Sequence, residues 1–242
     1  MPDCIAIIPA RYSSARLPGK PLKKIGDKTI IQHVYENIGS TKFFSKVIVA
    51  TDDKRIFDAV KKFGGEVFIS NKKHKSGSDR IAEVAKNFKT ELIVNIQADE
   101  FNLSKGILSD LINEFKNQEI QVATPIFLLE SKKMIFDPNQ VKVAINKNNY
   151  ALYFSRSVIP YNRSDETVNY WGHIGVYAYR RETLQKFSAL GQSMLERTEK
   201  LEQLRLLENA IMIKTVKTEY NGISIDTPED LEQAKKIYNK TN

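Results

Sequence analysis

The sequence predicts an α/β protein built on a mostly parallel central sheet flanked by helices. Three observations carry this. The segment 4–8 is apolar at every position and 46–50 at every position after Lys46, as strands covered on both faces must be. Over residues 1–100, strand-like runs alternate with amphipathic stretches of helical length, which gives parallel strands joined by right-handed crossovers. Beyond residue 128 the rhythm changes to shorter extended segments separated by polar turns, the pattern of a smaller antiparallel arm. No linker, repeat or low-complexity segment interrupts the 242 residues, so the chain partitions as one domain. Its core is expected over about 1–128 and 172–242, with an arm and hairpin at 129–171.

The elements follow in order. The strand 4–8 opens into the loop PARYSSARLPGKP at 9–21, and a helix is expected over 29–38. The strand 46–50 is followed by Thr51, Asp52 and Asp53, which cap a helix over 54–63 that Gly64 and Gly65 stop. A strand at 66–69, a basic polar loop at 70–78, a helix at 79–88 and a strand at 91–96 complete the parallel series. Then come a helix at 103–116 and a strand at 121–128. Segments 141–146 and 150–155 flank a Lys-Asn-Asn turn and read as a hairpin. A polar loop spans 160–170, a strand 172–179, helices 181–190 and 198–209, and strands 211–217 and 223–226. Thr227 as N-cap, Pro228 in the first helical position and acids in the first turn start a last helix.

Composition narrows the function. Hydrophobic residues make up 41% and charged residues 27%, which suits a folded globular chain rather than a disordered one. The net charge of +8 suits anionic substrates. The lysines are scattered among acids on helix surfaces (Lys61, Lys62, Lys86, Lys235, Lys236) rather than gathered in one stripe, which argues against a nucleic-acid partner. Cys4 is the single cysteine and lies within the first strand, as a small buried hydrophobe would. No apolar run approaches the roughly 18 residues of a membrane span. No basic and apolar leader opens the sequence, and a cytoplasmic location is expected.

The first loop is the centre of the chemistry. A buried strand that opens into small residues, two arginines and a lysine can hold phosphates, because small side chains admit backbone N–H groups to the anion while the cations neutralise it. It matches neither a dinucleotide fingerprint nor a P-loop. Arg11 and Lys20 can flank a triphosphate, Arg as a fork and Lys as a point charge. Asp99 follows the strand 91–96, and Asp226 follows a short strand before a capped turn. Two carboxylates at strand ends beside a phosphate cradle suit Mg²⁺, although a loop or helix cap would place either acid similarly. Ser76-Gly-Ser-Asp-Arg80 opens a helix where N–H groups and hydroxyls can meet a ribose or phosphate, and it is equally good as a plain cap. In the strand 172–179, positions 173, 175 and 177 share one face, so His173 and Tyr177 line one surface. Arg156, after the hairpin, is a candidate carboxylate-binding cation. His33 and His74 show no partner pattern and are expected to be surface or helix residues. With three histidines and no pair at metal spacing, zinc chemistry is disfavoured.

The motifs IPARYSSARLPGKPL (8–22), ATD (50–52), SGSDR (76–80), NIQADE (95–100), YALYFSR (150–156), HIGVY (173–177), EKLEQLR (199–205) and DTPED (226–230) occur in this order. Together, over essentially the whole chain, they closely resemble the 3-deoxy-manno-octulosonate (Kdo) cytidylyltransferase family, the CMP-Kdo synthetases. The resemblance implies a Rossmann-like nucleotide-diphospho-sugar transferase fold whose arm contributes to a homodimer contact. It implies transfer of CMP from CTP to Kdo with release of pyrophosphate and with Mg²⁺ as cofactor. Arg11, Lys20, Asp99 and Asp226 would be the catalytic set, with Asp99 and Asp226 on the metal. Ala10, Arg11, Ser13, Lys20, Ser76, Arg80 and Asp99 would contact the nucleotide. Gln97, Arg156, His173, Tyr177, Glu202 and Gln203 would surround the sugar acid.

Two departures bear on specificity. The family reads Gln-Gly-Asp-Glu-Pro where this chain has Gln97-Ala98-Asp99-Glu100-Phe101. Ala98 adds a Cβ where the backbone is expected to pass close to ligand, and Phe101 adds a ring. The loop between Tyr161 and Trp171 is also short. A related acid, such as an amino-substituted Kdo or another ulosonate, and a non-catalytic nucleotide-binding paralogue are the alternatives these changes leave open.

Overall fold

A computed structural model describes residues 3–14, 16–70, 74, 76–164, 166–220 and 222–241. Part of the basic loop expected at 70–78 therefore lies outside the described residues. The chain forms two compact units, one running to Gly106 and resuming at Tyr220, the other comprising Ile107–Glu219.

The first unit is built on β1 (Cys4–Ala10), buried at all seven positions. Thr29 ends a small ribbon of β2 (Lys24–Ile25) and β3 (Lys28–Thr29), and its side chain accepts from Gln32 N to cap α1 (Ile30–Ser40). β4 (Lys46–Thr51) leads to Asp53, which caps α2 (Lys54–Lys62), and β5 (Glu66–Ile69) follows. Ser76 caps α3 (Gly77–Ala85), so this helix begins two residues earlier than expected: the Ser76 hydroxyl accepts from Asp79 N at 3.1 Å. β6 (Leu92–Asn95) and the short β7 (Glu100–Phe101) complete this run. The strands order as β6-β1-β4-β5, all parallel, with Ile7 opposite both Ile48 and Asn95. Their carboxyl ends share one edge, where ligands bind in open α/β sheets, and the loops carrying Arg11, Asp52 and Asp99 leave from that edge.

The second unit opens within α4 (Lys105–Asn113), which is continued by one 3₁₀ turn over the rest of the expected helix. β8 (Val122–Leu128), a short α5 (Lys132–Phe136), β9 (Lys142–Ile145) and β10 (Ala151–Ser155) follow. β9 and β10 pair antiparallel, as the hairpin reading required. The strand expected at 172–179 is divided into β11 (Trp171–His173) and β12 (Tyr177–Arg180). Both pair with β8, in registers that differ by two residues, so the intervening residues leave the ladder. α6 (Arg181–Ala189) then precedes a second correction. The helix expected at 198–209 is two helices, α7 (Met194–Glu199) and α8 (Leu204–Glu208), because Lys200 adopts the left-handed conformation at φ 57° and ends the first. β13 (Ile213–Lys217) lies parallel to β8. Finally the chain returns to the first unit, where β14 (Ile223–Ser224) pairs with β7 and α9 (Pro228–Thr241) closes the sequence.

Parallel strands flanked by helices, with an antiparallel hairpin downstream, are the α/β class the sequence predicts. β14 is the strand expected at 223–226, shortened to two residues; the elements the sequence did not disclose include β2, β3 and β7, two residues each, and the five-residue α5. These are too short to show a period.

Candidate active site

In the first unit the loop after β1 is closed by its own residues. Gly19 N donates to Tyr12 O, and Gly19 sits at φ 68°, where a Cβ would come within 3.2 Å of the Tyr12 ring. Arg55, paired with Asp53, lies over that ring 3.2 Å from its centroid. The turn delivers Lys20 to the carboxylates. Its ammonium bonds Asp99 directly and reaches Asp226 Oδ1 at 3.0 Å. Arg16 holds the other Asp226 oxygen at 2.9 Å. Burial works to lower the Lys20 pKa, but the charges of Asp99 and then Asp226 outweigh it, so the group is held charged. On Asp226 burial works upward, while Lys20 and Arg16 bring the pKa below the usual carboxylate range.

Two acids separated by more than a hundred positions thus converge on one cation. β7 and β14 explain how: Ile225 N donates to Asp99 O at 3.0 Å, tying the two acidic loops side by side. The Asp226 turn is fixed by Asp230, whose carboxylate accepts from Asp226 N and Thr227 N. Among the described residues no cluster of three His, Cys, Asp or Glu side chains is arranged to hold a metal. Two hard carboxylates already gathered around a positive charge are nonetheless what Mg²⁺ takes when substrate phosphates supply the remaining oxygens.

Behind Asp99 stands Glu100, 4% exposed, with Tyr220 donating to its carboxylate at 2.8 Å. Burial, followed by the neighbouring Asp99 charge, pushes its pKa up to about 7. Phe101, the bulky departure, turns into an edge-on aromatic contact with His33 and is 6% exposed. Ala98 is 7% exposed, so its Cβ is accommodated inside the fold.

An anion pocket opens beside β1. Ala10, Arg11, Ser76, Arg80, Gln97 and His74 line it, together with Pro9 and Gly77. Arg11 is exposed and makes no ion pair among the described residues. Arg80 is buried and committed: it pairs with Asp52 at 2.8 Å and donates to Ala10 O at 2.8 Å, locking the loop after β1 to α3. Ser13 is exposed and is not part of the pocket wall. His74, expected at the surface, is instead largely enclosed, its Nε2 at 2.7 Å from Glu83 and 3.0 Å from Ser70. Sequence reasoning left out two site residues here, Arg16 and His74. Arg16 had a signal, being the second arginine of a loop already read as phosphate-binding.

In the second unit His173 and Tyr177 lie in a neutral, aromatic cluster. Despite the break between β11 and β12, His173 and Tyr177 come together with ring centroids 5.3 Å apart, and Phe154 meets His173 edge-on at 5.2 Å. On the other face of β11, Gly172 leaves room for Leu129 and Phe127, since a Cβ there would lie 2.6 Å from Leu129 Cδ2 and 2.8 Å from Phe127. His173 Nε2 and Gln203 Nε2 are buried without a hydrogen-bond partner. The Tyr177 hydroxyl lies near Thr124, whose own hydrogen goes to the carbonyls of Ile174 or Val176, and it too lacks a bond of standard geometry. Burial lowers the His173 pKa to about 3 and raises that of Tyr177, so both are neutral groups. The break at Lys200 places Glu202 and Gln203 on the turn between α7 and α8, which a buried pair, Arg205 with Glu196 at 2.6 Å, braces. Arg156 is held by backbone carbonyls: Nε donates to Glu199 O and Nη1 to Pro138 O, each at 3.0 Å. Its guanidinium has no carboxylate partner among the described residues, although its backbone N donates to Glu199 Oε2 at 3.0 Å. A fixed guanidinium beside buried, unpartnered hydrogen-bonding atoms is the surface a hydroxylated carboxylic acid would complete.

Comparison with known proteins agrees with this chemistry. The cytidylyltransferase family model matches residues 5–237. A 3-deoxy-manno-octulosonate cytidylyltransferase of Thermodesulfovibrio yellowstonii is 45% identical, over 97% of this chain and 98% of its own. One from Flavobacterium johnsoniae is 46% identical over 96% of each. The chain belongs to this cytidylyltransferase family. It is accordingly a nucleotidyltransferase. A solved structure described as CMP:2-keto-3-deoxy-manno-octonic acid synthetase complexed with CTP superposes with TM-score 0.94 at 40% identity, over 99% of this chain and 100% of its own. A putative glucose-1-phosphate thymidylyltransferase from Bacillus anthracis, 15% identical with TM-score 0.71, shares the fold. No helix among the described residues is long and apolar enough to cross a membrane.

Proposed function

We propose that this protein transfers the cytidylyl group of CTP to the anomeric hydroxyl of Kdo, forming CMP-Kdo and releasing pyrophosphate, with Mg²⁺. The observation that carries the reading is the convergence of Asp99 and Asp226 on one cation beside the anion pocket of β1 and α3. Arg11 and Lys20 hold the triphosphate, and the start of α3, with Ser76 and Arg80, meets the nucleotide. Arg156 takes the sugar carboxylate, and His173, Tyr177, Glu202 and Gln203 bond its hydroxyls; Gln97 is the further sugar-binding residue that the family motif implies. The attacking oxygen forms its bond to the α-phosphorus as the bond to pyrophosphate breaks, in line, and holding these groups in place supplies much of the rate. Asp99 and Asp226 would hold Mg²⁺, which when bound neutralises phosphate charge and polarises the attacking hydroxyl. The cations of this chain stabilise the charge developing on the phosphate oxygens.

The neutral state of His173 suits it to bonding hydroxyls across the physiological range. Phe101 packs against His33, away from free solvent, which supports Kdo itself over a substituted acid. Exposed apolar side chains on the arm, Phe136, Leu152 and Tyr161, support a homodimer with the arm at its contact. The product would be made in the cytoplasm for lipopolysaccharide or capsule. Pyrophosphate release with Mg²⁺, each nucleoside triphosphate being tested against Kdo and related acids, decides the matter. Turnover with CTP and Kdo is expected. Turnover only with another acid would move the specificity, and none from folded protein would sink the reading.

A further inference from the structure

Lys142 has no part in the residues considered so far. It lies on β9, is 0% exposed, and has no acidic side chain bonded to it. Its ammonium instead donates to three backbone carbonyls: Asp137 O at 2.9 Å, Gln140 O at 2.7 Å and Arg156 O at 2.6 Å. All three ammonium hydrogens are therefore used, which is how a buried lysine is satisfied without a counter-ion. Burial, opposed by the Asp137 charge, lowers its pKa.

The carbonyls it chooses are informative. One belongs to Arg156 itself. The other two bracket Pro138, whose carbonyl receives the Arg156 guanidinium at 3.0 Å. Gln140 also donates through its side chain to His173 O at 3.3 Å. A single ammonium thus fixes the backbone of Arg156, the loop that orients its guanidinium, and a residue bonded to the His173 backbone. A role in stability alone would be met by an apolar side chain of similar volume, since a buried cation is expensive to desolvate.

We infer that Lys142 is a positioning residue for the sugar acid, acting through the 137–140 loop to aim Arg156 at the substrate carboxylate. This rests on Arg156 being the carboxylate-binding group. Lys142→Met retains the apolar stem and removes the donors. It is expected to raise KM for Kdo by about tenfold or more, as small misplacements of binding groups do, with KM for CTP little changed. Pro138→Gly loosens the exposed loop without touching the core, and is expected to raise KM for Kdo in the same direction but less. It decides the question if Lys142→Met does not fold. Arg156→Ala is measured alongside. If it raises KM for Kdo while both other variants leave that constant unchanged, or lower only kcat through lost active protein, the positioning role is overturned and the pocket reading stands. If Arg156→Ala leaves KM for Kdo unchanged, the pocket reading fails and the inference with it. A selective rise in all the folded variants establishes it.

Discussion

The two units prepare for their ligands in opposite ways. In the first, every charged group around Asp99 and Asp226 already has a partner: Lys20 bridges the acids and Arg16 takes the remaining oxygen. In the second, the buried groups His173, Tyr177 and Gln203 are neutral and several wait, with His173 Nε2 and Gln203 Nε2 buried and unbonded, while the Arg156 guanidinium is held by backbone carbonyls. The difference follows from what each kind of group demands. An unpaired charge removed from water costs several kcal/mol, so acids and cations gathered this closely in the free protein must neutralise one another. An unmade hydrogen bond costs about 1–3 kcal/mol, which a domain can carry until a hydroxyl arrives. Ligand binding should therefore exchange ion pairs in one unit and fill vacant hydrogen bonds in the other.

The sharpest way to break this contrast is Asp99→Asn. The change keeps shape and removes one of the two charges that Lys20 joins. Turnover is expected to fall by about a thousandfold or more, the scale on which transition-state electrostatics act, with the fold retained by circular dichroism. Activity within about tenfold of wild type would mean that Asp99 serves only as a partner for Lys20.

A smaller effect of opposite character is expected in the second unit. Gln203 is 7% exposed and begins α8 without capping it through its side chain. Gln203→Leu removes an unbonded buried donor, and replacing such a group by an apolar one of like shape is neutral or stabilising. The melting temperature should hold or rise while KM for Kdo increases by about tenfold, the worth of one hydrogen bond to the ligand. A lower melting temperature with unchanged KM would show that Gln203 is structural.

The contrast also explains how much could be read beforehand. The loop after β1 with Lys20, and Asp99 and Ser76, were legible as candidates because each follows an apolar strand or caps a helix, and strand ends in α/β sheets are where ligands sit. Asp226 was legible as an acid between a short strand and a capped turn, but its approach to Asp99 depends on the pairing of that strand, β14, with the two-residue β7, which carries no periodic signal. Arg16 could have been chosen from its loop. His173 and Tyr177 were placed on one face by counting through an unbroken strand. The strand is in fact interrupted, yet the rings still meet, because the register shift between β11 and β12 is two residues and preserves parity. Glu202 and Gln203 came from the family motif, and nothing in a helical reading of 198–209 foretold that Lys200 would turn them out between two helices. Lys142 gave no signal at all: a lysine in a strand reads as solvent-facing until three carbonyls are found around it.

The smallest effect is in stability against pH, and it tests whether the second unit's readiness depends on neutrality. His173 has an ordinary pKa of 6.5, lowered by burial to about 3 in the folded chain. Below 6.5 the unfolded chain therefore takes up a proton that the folded one refuses, so the unfolded state binds more protons and stability falls as the pH is lowered toward 3. By about pH 5 the loss from this one group is up to about 2 kcal/mol, and less to the extent that the half-buried ring meets water. His173→Gln keeps a polar group of similar reach and has no such titration. The melting temperature of wild type relative to this variant should be constant above about pH 7 and decline steadily between about pH 6 and pH 4. A difference that stays flat across that range would mean that His173 is protonated in the fold, its ring charged rather than waiting neutral.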